Sequence, residues 1–143
     1  MTAPIWFKPI DLDALRRVHA DDMNGHMGIE ITEAGPDWLA GLMPVDHRTR
    51  QPMGILHGGA SVVLAETLGS VAANLVVDPA LFYCVGQEVN ANHLRSPRDG
   101  HVRGVARPFH LGRSSQVWGI ELRNERGDLT CVSRLTMAVL RRP

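Results

Sequence analysis

The stretch His57-Gly-Gly-Ala-Ser-Val-Val-Leu-Ala-Glu-Thr-Leu-Gly-Ser-Val-Ala-Ala-Asn-Leu-Val-Val77 carries a single charge, Glu66. Ala65, Gly69, Ala72 and Ala73 recur at helical spacing and form a flat face of small side chains, against which a sheet can pack closely. The stretch therefore reads as one long helix over residues 60–77. Asp78-Pro79 ends it, because the residue before a proline is pushed out of the helical region. Glu66 and Ser70 are four apart and stack on one side of this helix. A carboxylate is almost never fully buried unless it is paired or functional. On pattern alone two placements of Glu66 remain open. It faces solvent on a partly exposed helix, or it looks into a cleft or subunit interface beneath a sheet that wraps the helix.

The residues just before the helix favour the second placement. Glycines at 58 and 59 let the backbone approach a ligand closely. The first turn of a helix offers unpaired N–H groups at the positive end of its dipole. Such a turn can stabilise negative charge developing on a carbonyl oxygen. Glu66 lies two turns further along, about 10 Å of axial rise, so a ligand lying along the helix meets both features. Alone, His57-Gly58-Gly59 is also a tight loop with a capping histidine.

Outward from the helix, the chain alternates turns with strand-like runs. Residues 11–19 read as a short helix opened by Asp11 and Asp13, with Leu12, Leu15 and Val18 on one side. Runs at 27–33 and 38–45 are strand-like and flank the turn Gly35-Pro36-Asp37. Residues 46–51 form a polar loop between Pro44 and Pro52. After the helix, strands are expected at 85–92, 101–111, 116–123 and 130–140, the last two joined by a hairpin at 124–127. Trp118, Ile120 and Leu122 alternate and belong to the core. One long apolar helix followed by antiparallel strands is an α+β pattern, in which the sheet covers the helix. The length, 143 residues, fits a single domain over 1–143.

Composition narrows the function classes. Lys+Arg and Asp+Glu are 15 each, giving no net charge, which argues against a general nucleic-acid binder that must neutralise phosphates. Lys8 is the lone lysine and the other cations are arginines, the residue suited to planar anion contacts. Cys84 and Cys131 make no metal-ligand spacing and are expected to be free, buried thiols. No HxH or HExxH motif is present, so no metal site is expected. Ser61 and Ser70 lack a G-x-S-x-G elbow. No signal peptide is visible and the glutamate-bearing helix is a poor membrane span, so a cytoplasmic setting and no membrane partner are expected.

The run Leu56-His-Gly-Gly-Ala-Ser-Val-Val-Leu-Ala-Glu66 resembles the helix-entry motif of hotdog-fold acyl-CoA thioesterases, in the subgroup whose acid is a carboxylate on the central helix. Further matches are Ile5-Trp6, Met43-Pro-Val-Asp46, Arg48-Thr-Arg-Gln-Pro52, Asn90-Ala-Asn-His-Leu-Arg-Ser96, His110-Leu-Gly112 and Ser133-Arg-Leu-Thr136, so the resemblance spans nearly the whole chain. It is strongest to the branch that hydrolyses 1,4-dihydroxy-2-naphthoyl-CoA in menaquinone synthesis and to its sibling, the proofreading thioesterases of enterobactin synthesis.

The resemblance implies a hotdog fold, with an antiparallel sheet wrapped around one long helix. It implies homodimers, commonly paired into a homotetramer, with active sites at the dimer interface. Glu66 becomes the nucleophile or general base, and His57 and the Gly58 N–H polarise the thioester carbonyl. Gln51 positions the acyl group or the water, and Ser70 supports the intermediate. Gly86, His93, Leu94, Arg95, Ser96, His110, Leu111, Gly112, Arg113, Ser114 and Ser115 line the coenzyme A and acyl pocket. No cofactor is needed, since coenzyme A is part of the substrate. Relatives often carry a second basic residue just after position 112. Here Arg113-Ser114-Ser115 leaves the coenzyme A phosphates to Arg113 and Arg95.

The expected reaction is hydrolysis of an acyl- or aroyl-CoA thioester. Three other readings stand beside it: a proofreading hydrolase of aroyl thioesters on a carrier protein, a hotdog dehydratase, and a non-catalytic acyl-thioester binding module.

Overall fold

The computed structural model describes residues 2–143. Its elements run α1 Leu12–Val18, α2 Met23–His26, β1 Glu30–Ala34, β2 Leu39–Pro44, α3 Gly58–Val76, β3 Phe82–His93, β4 His101–Leu111, β5 Ser115–Arg123 and β6 Leu129–Arg141. The six strands form one antiparallel sheet in the order β1-β2-β4-β5-β6-β3. The sheet curls around α3, whose buried face is Ala60, Ser61, Leu64, Ala65, Leu68, Gly69, Ala72 and Ala73.

Small residues set how closely helix and sheet approach. A Cβ at Gly69 would lie 2.6 Å from Leu135 Cδ2, and one at Gly104 would lie 2.6 Å from Leu68 Cδ1. Interiors pack at crystal-like density, so neither site has room for a methyl group. By length and composition α3 could cross a membrane, but its apolar face is occupied by the sheet. Trp118, Ile120 and Leu122 fill the core from β5 as expected. The Trp118 Nε1–H donates to Gln116 Oε1 at 2.9 Å, and Gln116 Nε2 reaches the Ala73 carbonyl near the end of α3 at 3.5 Å. Gln116 thus pairs two groups that burial would otherwise leave costly. From the N-terminal segment, Trp6 stacks on Trp118 with ring centroids 6.5 Å apart. Its Nε1–H donates to the Gly35 carbonyl at 2.7 Å.

The expected elements are present with shifted ends. The long helix begins two residues earlier than expected, because His57 caps it. β3 extends to Phe82 and His93. The run at 27–33 is strand only from Glu30 onward. Asp22 caps the short helix α2 by accepting from the Asn24 and Gly25 N–H groups. Met27 closes that helix, and Gly28, at φ 74, turns the chain before the strand begins. Met27 and Ile29 are still buried, so their hydrophobicity reports the core rather than strand structure. Cys84 and Cys131 are free and buried, and burial pushes both thiols up from their ordinary pKa.

Candidate active site

Three segments converge where the chain enters α3. Residues 46–51 are locked by local bonds. Arg48 donates to both oxygens of Asp46, at 3.2 Å from Nε and 2.7 Å from Nη2. With the Arg48 N–H, this holds the Asp46 carboxyl at about 2. Thr49 Oγ1 donates to the Pro44 carbonyl at 2.6 Å, and the Thr49 carbonyl accepts from the His57 N–H at 2.8 Å. The loop therefore fixes both Gln51 and His57. Gln51 Oε1 accepts from the Met53 N–H, so its Nε2 amino group is the end left to donate.

His57 is the N-cap of α3. Its Nδ1 accepts from the Gly59 N–H at 2.8 Å. In a neutral ring the proton then sits on Nε2, which becomes an outward donor. The Gly58 N–H is one of the orphan donors of the helix start, and no described group accepts from it. Against Gly58 lies His93, at the end of β3. A Cβ on Gly58 would come 2.7 Å from His93 Nε2. The Gly58 N–H and the His57 ring thus share the start of α3, and the Arg50–Leu56 bridge holds the segment that carries Gln51 beside it.

Glu66 lies elsewhere. It is half-buried on α3 beneath the start of β3, and a Cβ on Gly86 would lie 2.6 Å from Glu66 Oε1. A side chain at position 86 would push the carboxylate out of this placement. β3 bulges between Gly86 and Glu88, and bulges commonly re-aim backbone beside functional groups. One turn on, Ser70 Oγ lies 3.7 Å from Met137 Sδ. Ser70 opens into a cleft of about 340 Å³ that it shares with Leu15, His19, Val71, Asn74 and Leu75.

Within one chain these groups form two clusters, not one. From Gly58 to Glu66 the helix rises about 12 Å, too far for one carbonyl to touch both. The residues expected to line the coenzyme A pocket divide the same way. His93, Leu94, Arg95 and Ser96 sit at the donor end. His110, Leu111, Gly112, Arg113, Ser114 and Ser115 run from the end of β4 through the turn to the start of β5, at the carboxylate end, where Gln116 and Gly86 both pair with Met137. Along β6 the two groups are separated by the distance from Cys131 to Ala138, roughly 23 Å.

The donor end also carries Arg98 and Arg126, which with Arg95 and the carboxylates of Asp99 and Glu125 border a depression of about 540 Å³. Arg98 reaches the Met53 carbonyl at 3.4 Å. Neither residue stands out in the sequence. Their signal is three arginines brought together by the β3–β4 connection and the β5–β6 hairpin. Among the described residues, no group of three or more His, Cys, Asp or Glu is placed to hold a metal.

The profile of the thioesterase superfamily matches residues 53–131, from the Gln51 loop through α3 and into β6. The chain belongs to the thioesterase superfamily. This thioesterase is 52% identical over 136 residues to the 1,4-dihydroxy-2-naphthoyl-CoA hydrolase of Escherichia coli, covering 95% of this chain and 99% of that one. It is 48% identical over 137 residues to the proofreading thioesterase EntH of Cronobacter turicensis, covering 95% and 98%. A mutant thioesterase from Pseudomonas aeruginosa superposes with a TM-score of 0.95 at 48% identity, covering 96% of this chain and 99% of that structure. A Haemophilus influenzae thioesterase superposes at 0.93, also 48% identical, covering 96% and 95%. The hotdog fold, and a hydrolase acting on thioesters, are thereby shown.

Proposed function

We propose that this thioesterase hydrolyses an aroyl-CoA, with 1,4-dihydroxy-2-naphthoyl-CoA as the leading candidate, in a cytoplasmic homodimer or homotetramer whose active sites each draw on two chains. The substrate rests on the Escherichia coli hydrolase, half identical over almost the whole of both chains. The observation that carries the mechanism is the close fit of the Glu66 carboxylate under Gly86, away from the donor cluster at Gly58.

In the proposed site, the thioester oxygen of the substrate accepts from the Gly58 N–H and the His57 Nε2–H of one chain. Glu66 of the other chain faces the carbonyl carbon. It takes a proton from an attacking water, or attacks directly and forms an anhydride that water then opens. In both routes the C–S bond breaks, coenzyme A leaves as its thiol and the acyl group leaves as a carboxylic acid. Gln51 Nε2 orients the acyl group or the water, and Ser70 lines the acyl cleft. No metal or cofactor enters, because a thioester carbonyl needs only a carboxylate, an oxyanion hole and a fixed geometry. Arg95, Arg98 and Arg126 supply positive charge for the coenzyme A phosphates on one chain, and Arg113 on the other.

Thiol release from benzoyl-, hydroxybenzoyl-, hydroxynaphthoyl- and straight-chain acyl-CoA tests this reading, comparing wild type with Glu66→Gln. Aroyl-CoA is expected to be preferred, with turnover falling by about 10³-fold in the variant, the loss typical of a removed general base. Absence of thiol release from every coenzyme A ester by the folded protein would sink the reading and leave a carrier-protein thioester or a binding module.

A further inference from the structure

The cleft beside Ser70, about 340 Å³, has apolar walls in Leu15, Val71 and Leu75 and polar ones in His19, Ser70 and Asn74. It follows α3 from the turn after Glu66 away from Gly58, so an acyl group whose carbonyl lies at Glu66 has this cleft ahead of it. In a mostly apolar pocket, the few polar groups set which ligand fits. Which of the three can bind a ligand follows from the partners they already hold. Asn74 is spent. Its Oδ1 accepts from the Cys84 N–H at 2.8 Å, and its Nδ2 donates to the Cys84 carbonyl at 3.1 Å and to the Ser70 carbonyl at 2.9 Å. This Asn74–Cys84 bridge staples α3 to β3 and uses both N–H donors of the amide. Ser70 Oγ has the Met137 sulfur at 3.7 Å, a weak acceptor, and Ser70 stands one turn from Glu66, beside the thioester. That leaves His19 for the far part of the acyl group.

His19 is the C-cap of α1, and its ring is held by a chain of bonds. Nδ1 lies 2.8 Å from Asp22 Oδ2. A carboxylate only accepts, so the proton of that bond belongs to Nδ1. Asp22 is fixed in turn, because its Oδ1 accepts from the Asn24 and Gly25 N–H groups at 2.8 and 3.3 Å. Asn24 Nδ2 sits 3.3 Å from both Asp22 Oδ2 and His19 Nδ1. It donates to the carboxylate, since a protonated Nδ1 has no lone pair to give. Thr67 Oγ1 donates to Asn24 Oδ1 at 2.6 Å, so the chain ends on the residue next to Glu66. The ring is therefore positioned against the turn that carries the carboxylate. Among the described residues, no group bonds His19 Nε2. In a neutral ring protonated on Nδ1, Nε2 is an acceptor.

We infer that His19 is a specificity-determining residue, whose Nε2 accepts a hydrogen bond from a hydroxyl group on an aromatic acyl group while Leu15, Val71 and Leu75 hold the ring. This inference deepens the aroyl thioesterase reading proposed above and rests on it.

The selection follows from what each acyl group has to offer Nε2. A phenolic hydroxyl titrates near pH 10, so at neutral pH it keeps its proton and donates. An unsubstituted ring or a methyl ether has no such proton. Either one would cover Nε2, strip its water and return nothing, which is the costly way to bury an acceptor. His19 touches the acyl ring and not the thioester, so replacing it changes which ester is preferred rather than the chemical step common to all of them.

The test is kcat/KM by thiol release for benzoyl-CoA, the hydroxybenzoyl-CoA isomers and their methyl ethers. Wild type should favour a hydroxy ester over its methyl ether. In His19→Leu that preference should fall about tenfold, the worth of one hydrogen bond, with benzoyl-CoA within about twofold of wild type. Asp22→Asn leaves His19 in place and keeps the cap of α2, since asparagine caps as well as aspartate. Its amide can donate to Nδ1, which moves the ring proton to Nε2 and turns the acceptor into a donor. The methyl ether should then gain several-fold on the hydroxy ester, and this variant keeps the test decisive if His19→Leu does not fold. No hydroxyl preference in wild type, or a hydroxy-to-methoxy ratio that neither variant changes, would overturn the inference and leave the hydrolase reading standing. Turnover of none of these esters by the folded wild type would overturn both.

Discussion

The two ends of β3 hold opposite kinds of chemistry. At the Gly86 end, a bulged strand leaves room for one half-buried carboxylate on the middle of α3. At the His93 end, a rigid loop and the first turn of the same helix present neutral donors and the positive end of the helix dipole. In the proposed reaction, one supplies the base or nucleophile and the other stabilises the oxyanion. A single chain keeps them about 12 Å apart. In the proposed mechanism the two are half-sites, joined when two chains assemble.

Both ends depend on a glycine at a close approach, but the side chains they admit differ in freedom. Gly86→Ala should have the larger effect. Its Cβ would lie 2.6 Å from Glu66 Oε1, and the carboxylate, half-buried on a packed helix, must move by about 1 Å. A displacement of that size costs about 10²-fold in turnover, while the melting temperature should stay close to wild type, since Gly86 is outside the buried core. Gly58→Ala places its Cβ 2.7 Å from His93 Nε2, but that ring ends an exposed strand and can swing aside. The Gly58 N–H is kept, so thiol release should fall only several-fold, short of the 10²–10³ expected for a lost oxyanion donor. A larger loss in Gly58→Ala than in Gly86→Ala would break the comparison.

How much of this was legible in the sequence depends on the range of the interaction. The α3 helix, the four strands after it and the isolated charge of Glu66 follow from periodicity and from local breakers such as Asp78-Pro79. α2 was not foreseen, because its four residues are too few to show a period and only the Asp22 cap marks it. The strand expected from residue 27 starts at Glu30, because buried Met27 and Ile29 look the same to a hydrophobic pattern whether or not they extend. The Asn74–Cys84 bridge joins a helix to a strand by tertiary contact alone, and no local signal announces it. The division of the coenzyme A residues between two ends follows from the strand order, with β5 and β6 lying between β4 and β3. The family motif names those residues but is silent on which chain contributes them. Gly86 was named through the resemblance, and its physical reason, contact with Glu66, emerged only in three dimensions.

In the proposed site, Glu66 of one chain meets His57 and Gly58 of another. Co-expression of Glu66→Gln and His57→Ala chains carrying different tags, followed by isolation of the mixed dimers, tests it most directly. If the sites are shared, one site per mixed dimer collects both defects and the other is intact. Thiol release should then recover to about half that of wild type, although each variant alone is nearly inactive. If Glu66 and His57 of the same chain worked together, every site in the mixed dimer would carry a defect, and its activity would stay at the level of the single variants.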